Sequence, residues 1–106
     1  MDIEKKCEIY RAAVKKYGRV GQILKAIEEL SELARALARD LPLEAPVENE
    51  VNVCEEIADV EIMLNQLWLL YDCDEITEWR ESKLERLARM VGVEIGKEGG
   101  DEPVSD

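Results

Sequence analysis

The 106-residue sequence contains no histidine and only three cysteines, Cys7, Cys54 and Cys73. Structural zinc sites are built from cysteine and histidine, and an odd number of widely spaced cysteines does not form a disulfide framework. The sequence therefore argues against a zinc site and against a fold held together by disulfides. We interpret the cysteines as reduced thiols of a cytoplasmic protein.

Long apolar runs and basic residues are also scarce. No apolar run approaches the roughly 20 residues that span a bilayer, and the N-terminal MDIEKKCEIY lacks the apolar core of a signal peptide. We therefore expect neither secretion nor a membrane partner. The 14 Lys and Arg stand against 25 Asp and Glu, which gives a formal net charge of −11. This charge disfavours nucleic acid as a partner, so a polyanionic substrate needs metal ions as intermediaries.

Glycine and proline divide the chain into segments with helical patterns. No β-type alternation is present, so we predict an all-α fold resembling a four-helix bundle. The predicted domain covers residues 1–95, and 96–106 is predicted to be a disordered acidic tail. Asp2 is the expected N-cap of the first helix and Gly18 its end. The predicted helices run from about Ile3 to Tyr17, Arg19 to Leu41, Glu48 to Tyr71 and Glu75 to Val93.

The second predicted helix carries an apolar stripe with steps of four and three residues. That spacing is typical of a seam that packs against other helices. The stripe is formed by Ile23, Ile27, Leu30, Ala34, Leu37 and Leu41. On a helical wheel, Lys25 and the acidic residues 28, 29 and 32 lie roughly opposite it, which by itself predicts an ordinary solvated face.

Acidic residues form two short patterns, Glu-Glu-Leu-Ser-Glu at 28–32 and Glu-Glu-Ile-Ala-Asp at 55–59. Each contains a pair of carboxylates three residues apart, which an α-helix projects from one face. Glu56 and Asp59 also fall within, or at the edge of, the apolar arc of the third helix. Burying an unpaired carboxylate is costly, so such residues are normally neutralised, paired with a base or bound to a metal.

Oxygen ligands without histidine or thiolate suit Mg²⁺, and also Mn²⁺. Such metals can bridge a triphosphate to acidic side chains, lower the pKa of a water and stabilise the charge that develops during attack at phosphorus. No protein nucleophile is needed for this chemistry.

With these patterns, the sequence resembles the MazG-like nucleotide pyrophosphohydrolases, which belong to the all-α NTP pyrophosphatases together with dimeric dUTPases and dCTP pyrophosphatases. Their signature is EExxE followed after a variable gap by ExxD, matched here by residues 28–32 and 56–59. The stretches QILKAIEELSELARAL and NVCEEIADVEIMLNQL look like the short, single-domain forms of bacteria and their phages. The resemblance covers roughly residues 10 to 92.

The resemblance implies Mg²⁺-dependent hydrolysis of a (deoxy)nucleoside triphosphate to the monophosphate and pyrophosphate, in a homodimer or homotetramer located in a bacterial or phage-infected host cytoplasm. It makes Glu29, Glu32, Glu56 and Asp59 the expected metal ligands. Glu28 is the expected catalytic group that orients the water or acts from the outer shell.

Three basic residues are candidate phosphate contacts. Lys83 and Arg86 correspond to basic residues of the family that reach the phosphates, although an exposed face with neighbouring acids explains them as well. Lys25 either contacts a phosphate or balances the acidic face. Two other functions stay open, namely a non-enzymatic acidic interaction module and hydrolysis of phosphoribosyl-ATP, and the base preference is left open.

Overall fold

The computed structural model describes residues 1–96, and the predicted tail at 96–106 lies outside this range apart from Gly96. Three helices are present: α1 (Ile3–Asp40), α2 (Val47–Leu67) and α3 (Cys73–Val91). The described part contains no strand, which confirms the all-α prediction. None of its helices is long and apolar enough to cross a membrane. The chain divides into two compact units, Met1–Tyr71 and a second that begins at Asp72.

Helix α1 contains both of the first two predicted helices. The side chain of Asp2 accepts a hydrogen bond from the backbone N–H of Lys5 at 2.8 Å, as expected of an N-cap. Gly18 has φ 77° and ψ 170°, a conformation open to glycine that interrupts the helical geometry. The predicted break is therefore in the right place: two helical segments meet at a kink at Gly18, and α1 comprises both of them.

Helices α1 and α2 form an antiparallel pair joined by a short connection that contains Pro42 and Pro46. The Asn49 side chain donates a hydrogen bond to the backbone oxygen of Arg39 at 3.0 Å, which fixes the two helices next to the connection. Farther along, the buried side chains of Gln22 and Gln66 are hydrogen-bonded to each other. Because both contacts fit one register, α2 packs along the second half of α1.

The stripe of α1 that packs against α2 differs from the predicted seam. Ile27, Leu30 and Leu37 are 55%, 47% and 49% exposed, so the predicted seam does not form the helix contact. The buried residues of α1 are Gln22, Ala26, Glu29 and Ala36. This stripe precedes the predicted one by a single residue, a rotation of about 100°. Two alanines on it permit close helix approach, and the glutamine is satisfied by its partner on α2.

Helix α2 presents its expected face to α1. Val53, Val60 and Met63 are buried, together with Gln66. The helix ends at Leu67 instead of the predicted Tyr71, because residues 68–71 form tighter turns in which Leu69 N–H donates to the Gln66 oxygen. The small core of the first unit therefore combines apolar residues with a central polar stretch.

Helix α3 belongs to the second unit and is described by itself. The Asp72 side chain accepts hydrogen bonds from the N–H groups of Asp74 and Glu75, at 3.0 and 3.1 Å, so the helix starts two residues before the predicted position. It ends at Gly92, whose φ of 79° is the left-handed conformation common after a helix. No residue of α3 is buried.

Candidate functional site

The two acidic patterns lie near the middle of α1 and of α2, on the faces that meet. Helical spacing puts Glu29 and Glu32 on one face of α1, and Glu56 and Asp59 on one face of α2. In the register set by Gln22 with Gln66 and by Arg39 with Asn49, these four residues face each other across the helix pair.

Three carboxylates converge there. Glu29, Glu32 and Glu56 each offer an oxygen within 4.8 Å of the oxygens offered by the other two. Glu29 is buried, with 9% of its surface exposed, and the other two are half-buried. We call these three residues the carboxylate cluster. Because it joins both helices, its geometry depends on the antiparallel packing and not only on the spacing within one helix.

Two oxygens of the carboxylate cluster are fully buried and have no hydrogen-bond partner. They are Glu29 Oε1 and Glu56 Oε1. A buried polar atom without a partner reduces the free energy of unfolding, and a charged one does so more strongly. Exposed acidic groups need no explanation of this kind, since water satisfies them. Burial therefore distinguishes this cluster from a solvated acidic face.

Glu29 overturns the expectation that the acidic face of α1 is simply solvated. The helix is rotated by about 100° from the predicted seam, which brings the edge of this face that carries Glu29 against α2. Glu28, one position earlier, stays exposed. Consecutive residues are about 100° apart on a helix, so the same rotation that buries Glu29 leaves Glu28 at the rim.

Lys25 provides positive charge at one side of the cluster. Its Nζ lies 3.2 Å from Glu29 Oε2 and 3.5 Å from Glu28 Oε1. The hydrogen bond with Glu29 raises the pKa of Lys25, and the negative charge of Glu28 adds to the effect. The lysine thus balances the acidic face as one of the two predicted roles requires, but a single cation leaves the cluster with excess negative charge.

Burial and neighbouring negative charge raise the pKa values of two carboxyls in the cluster. Desolvation raises the pKa of Glu32 most, followed by the negative charges of Glu29 and Glu28. Desolvation also raises the pKa of Glu56 most, followed by the charges of Glu32 and Asp59. Both carboxyls are therefore harder to ionise than ordinary glutamates, and a cation placed among them would reverse this effect.

The remaining predicted residues are divided between the two units. Asp59 is half-buried and close enough for its charge to act on Glu56, but it is not one of the three converging carboxylates. Lys83 and Arg86 are exposed on α3, in the second unit, where Lys83 Nζ lies 5.7 Å from the centre of the Trp79 ring. The first unit thus brings together Lys25 and the acidic residues of both patterns.

Two glutamines next to the cluster are buried, and the first of them, Gln22, is absent from the sequence prediction. Gln22 is 3% exposed and Gln66 is 7% exposed. Their positions carried a signal, since Gln22 precedes Glu29 by seven residues and Gln66 follows Asp59 by seven, which places each glutamine on the same face as an acidic residue. A polar residue seven positions from an acidic motif, on the same helix face, indicates that the contact between the helices contains polar side chains.

The donor set fits a hard divalent cation. Mg²⁺ prefers carboxylate oxygens at about 2.1 Å in octahedral geometry, so two of its ligands lie roughly 3 to 4.2 Å apart. The 4.8 Å limit on the oxygens of the cluster is close to this range. A bound cation would also provide the partner that Glu29 Oε1 and Glu56 Oε1 lack. The residues able to hold it are the cluster itself, with Asp59 beside it.

Comparisons with protein-family models, with curated proteins and with solved structures find no match for this chain. Function therefore has to be inferred from the chemistry of the site. A carboxylate cluster that is partly buried and lies beside a lysine has the chemistry to bind a divalent ion together with an anionic ligand.

Proposed function

We propose that this protein is a Mg²⁺-dependent nucleoside triphosphate pyrophosphohydrolase with the all-α fold of the MazG-like enzymes. The proposed reaction adds water across the anhydride bond between the α- and β-phosphates and yields a (deoxy)nucleoside monophosphate and pyrophosphate. The observation that carries the proposal is the pair of buried, unpartnered oxygens on Glu29 and Glu56, one on each acidic motif. The order of the two motifs along the chain adds to it.

In this proposal Glu29, Glu32 and Glu56 hold the cation and Asp59 supports Glu56 from the same face of α2. The ion, when bound, would bridge protein and phosphate oxygens and lower the pKa of a water; Mn²⁺ has the same preferences. The helix packing keeps the carboxylates close before substrate arrives, so little reorganisation is needed on binding.

The charged residues around the cluster have supporting roles in the proposal. Lys25 holds Glu29 in place through its 3.2 Å ion pair and lies where a phosphate would meet the cluster. Glu28, at the exposed rim, accepts a hydrogen bond from the same lysine at 3.5 Å and is placed to orient a water. Lys83 and Arg86, on α3, stay predicted phosphate contacts.

Self-association into a homodimer or homotetramer is part of the proposal. The exposed stripe of α1 that contains Ile27, Leu30 and Leu37 is a continuous apolar surface. Surfaces of this kind on otherwise polar chains mark protein contacts, and a second copy would cover it.

The test is pyrophosphate release from a panel of canonical and modified nucleoside triphosphates, with and without Mg²⁺. Wild type is compared with Glu56→Gln and with the matched control Glu61→Gln, which changes an exposed glutamate of the same helix. We expect Mg²⁺-dependent release by wild type and control, and none by Glu56→Gln with its helical circular dichroism unchanged. Equal rates for all three proteins would refute the site. No release by wild type from any triphosphate would refute the function.

A further inference from the structure

Beside the carboxylate cluster, the α1–α2 packing encloses a second polar feature, which the proposed function does not use. A cleft of about 470 Å³ opens on the first unit, within the size range of small-molecule sites. Its walls include Tyr17, Gly21, Gln22 and Lys25 from α1 and Met63 and Gln66 from α2. We call this feature the amide cleft. Lys25 belongs both to its wall and to the ion pair with Glu29, so the cleft adjoins the cluster.

We propose that the amide cleft binds the base of the nucleotide and that Gln22 and Gln66 read its hydrogen-bonding edge. The inference rests on the proposed function, because it assumes that the cluster holds the phosphates. The inference names residues that set the base preference of the site. The acidic motifs do not determine this preference.

The hydrogen bonding of the two glutamines supports this role. Gln22 Nε2 donates to Gln66 Oε1, and neither side chain makes another hydrogen bond within the described residues. Gln22 Oε1 therefore remains an acceptor and Gln66 Nε2 a donor. Neither is among the fully buried unpaired atoms of the described chain, which belong to Glu29 and Glu56 alone, so both atoms are partly accessible, and both residues line the cleft.

A donor beside an acceptor matches the edge of a nucleobase, where a ring nitrogen adjoins a carbonyl or an amino group. Rotating both amides by half a turn would exchange donor and acceptor while keeping one bond between them. The pair can therefore match either polarity of base edge.

The distance between the two features fits one ligand. Gln22 and Glu29 are seven residues apart on one face of α1, and Gln66 and Asp59 are equally spaced on α2. Seven residues correspond to about 10.5 Å along a helix. A nucleotide lying in the groove would place its phosphates at the cluster, pass its sugar along Lys25 and bring its base to the amides.

The remaining walls provide contacts for a flat ring. Tyr17 is 60% exposed, directly before the break at Gly18, and aromatic rings are good stacking surfaces for any base. Met63 offers an adaptable apolar surface from the opposite helix. Gly21 has no side chain to fill the space between Tyr17 and Gln22, which leaves the cleft open.

The first test is a binding measurement that needs no catalysis. The full chain, labelled with ¹⁵N, is titrated without Mg²⁺ with nucleoside monophosphates and, as the base-free match, with ribose 5-phosphate. We expect the side-chain amide signals of Gln22 and Gln66 to shift with at least one nucleoside monophosphate and not with ribose 5-phosphate. The Asn65 amide, exposed on α2 and bonded to the Glu61 backbone, should not move. Equal shifts with ribose 5-phosphate, or none with any base, would overturn the proposal.

The second test compares wild type with the double variant Gln22→Met, Gln66→Met, which removes both amides at similar volume, and with the control Asn65→Met. For the preferred nucleotide we expect kcat/KM to fall roughly 10- to 100-fold, mainly through KM, because hydrogen bonds to the base are lost. Release of pyrophosphate from ribose 5-triphosphate should stay within about twofold of wild type, and the preference among bases should shrink. A purely structural role would slow all substrates alike and overturn the inference.

These outcomes separate the two proposals. Amide shifts without any pyrophosphate release would support the base site and refute the hydrolase function. Release with unchanged base preference and no amide shifts would support the hydrolase function and refute the base site. Absence of both would refute both.

Discussion

The seam between α1 and α2 buries polar side chains at two places, and the two differ in how their polar atoms are satisfied. At Gln22 and Gln66 the buried amides bond to each other across the helices. Two turns away, Glu29 and Glu56 keep buried oxygens with no partner. Neutral amides supply donor and acceptor together, whereas ionised carboxylates supply only acceptors. The amide position is therefore satisfied within the protein, while the carboxylate position leaves two buried acceptor oxygens without a donor.

The largest effect is expected when carboxylates of the cluster are replaced by neutral amides, which makes its chemistry resemble that of the Gln22–Gln66 pair. In the double variant Glu32→Gln, Glu56→Gln we expect Mg²⁺-dependent pyrophosphate release to fall by at least about 100-fold, since weaker changes around metal ligands already cost 10- to 100-fold. Without Mg²⁺ its midpoint of thermal unfolding should rise, because two like charges are removed.

The matched control for that experiment is Glu55→Gln, Glu61→Gln, which removes the same charge from exposed positions of α2. It should retain activity and change stability little. Equal losses in the two double variants would mean that total charge, and not the cluster, governs activity.

Adding Mg²⁺ to wild type should have a smaller effect, which is on the unfolding midpoint. Mg²⁺ at ten times its dissociation constant should raise the unfolding midpoint of wild type by roughly 5 to 10 °C, because binding to the folded state adds its free energy to stability. Glu56→Gln should lose most of this shift, and the Glu61→Gln control should keep it. Calorimetry with and without a chelator measures the effect. A shift that survives in Glu56→Gln would indicate scattered surface binding.

In ordinary acid denaturation a protein loses stability as the pH falls. The contribution of the carboxylate cluster to stability should have the opposite pH dependence. The pKa values of Glu32 and Glu56 are raised in the folded state, so this state binds more protons than the unfolded chain between the ordinary glutamate pKa and the raised values. Stability contributed by these groups is present below that window and lost as pH rises through it. Without Mg²⁺ the unfolding midpoint should therefore fall as pH rises from about 4.5 toward 7, the range above the ordinary value.

The control for the pH prediction is the double variant Glu32→Gln, Glu56→Gln, in which this part of the pH dependence should be flatter. Lys25, Glu28, Glu29 and Asp59 face the same centre and remain in the variant. An identical pH profile in wild type and variant would show that these two carboxyls do not cause it.

The helical class and the acidic positions could be predicted from residue spacing, because both depend on local periodicity. Asp2 as N-cap and Gly18 as the break also follow from local chemistry. The helix rotation could not be predicted this way. The stripe through Ile27 and Leu30 is more apolar than the one through Ala26 and Glu29, so hydrophobicity alone selects the wrong face. The face that packs carries two alanines and the contact of Gln22 with Gln66, and a contact between distant residues has no signature in the spacing within one helix.

The geometry of the candidate site also depends on contacts between helices, which residue spacing does not predict. Spacing places Glu29 with Glu32 and Glu56 with Asp59, but the convergence of three of these residues, with Asp59 beside them, depends on the register of two helices. The role of Lys25 was left open by the sequence for the same reason, since its neighbours on α1 were known and the burial of Glu29 was not.

The smallest expected effect is on the unfolding midpoint, and it is measured by replacing each of two lysines that form an ion pair within α1. Lys25 pairs with Glu29, whose side chain is 11% exposed, whereas Lys5 pairs with Glu8, whose side chain is 69% exposed. An exposed ion pair contributes little to stability, and a pair with a buried partner contributes more because the partner cannot recover its hydration. In the absence of Mg²⁺ we expect Lys25→Met to lower the unfolding midpoint by up to about 5 °C, and Lys5→Met by less than about 2 °C.

Saturating Mg²⁺ should narrow the difference between the two variants, since the ion then balances the charge of Glu29 in place of the lysine. If Lys25→Met were no more costly than Lys5→Met without the ion, Glu29 would not depend on a counter-charge, and the contrast between the two buried polar positions would lose its physical basis.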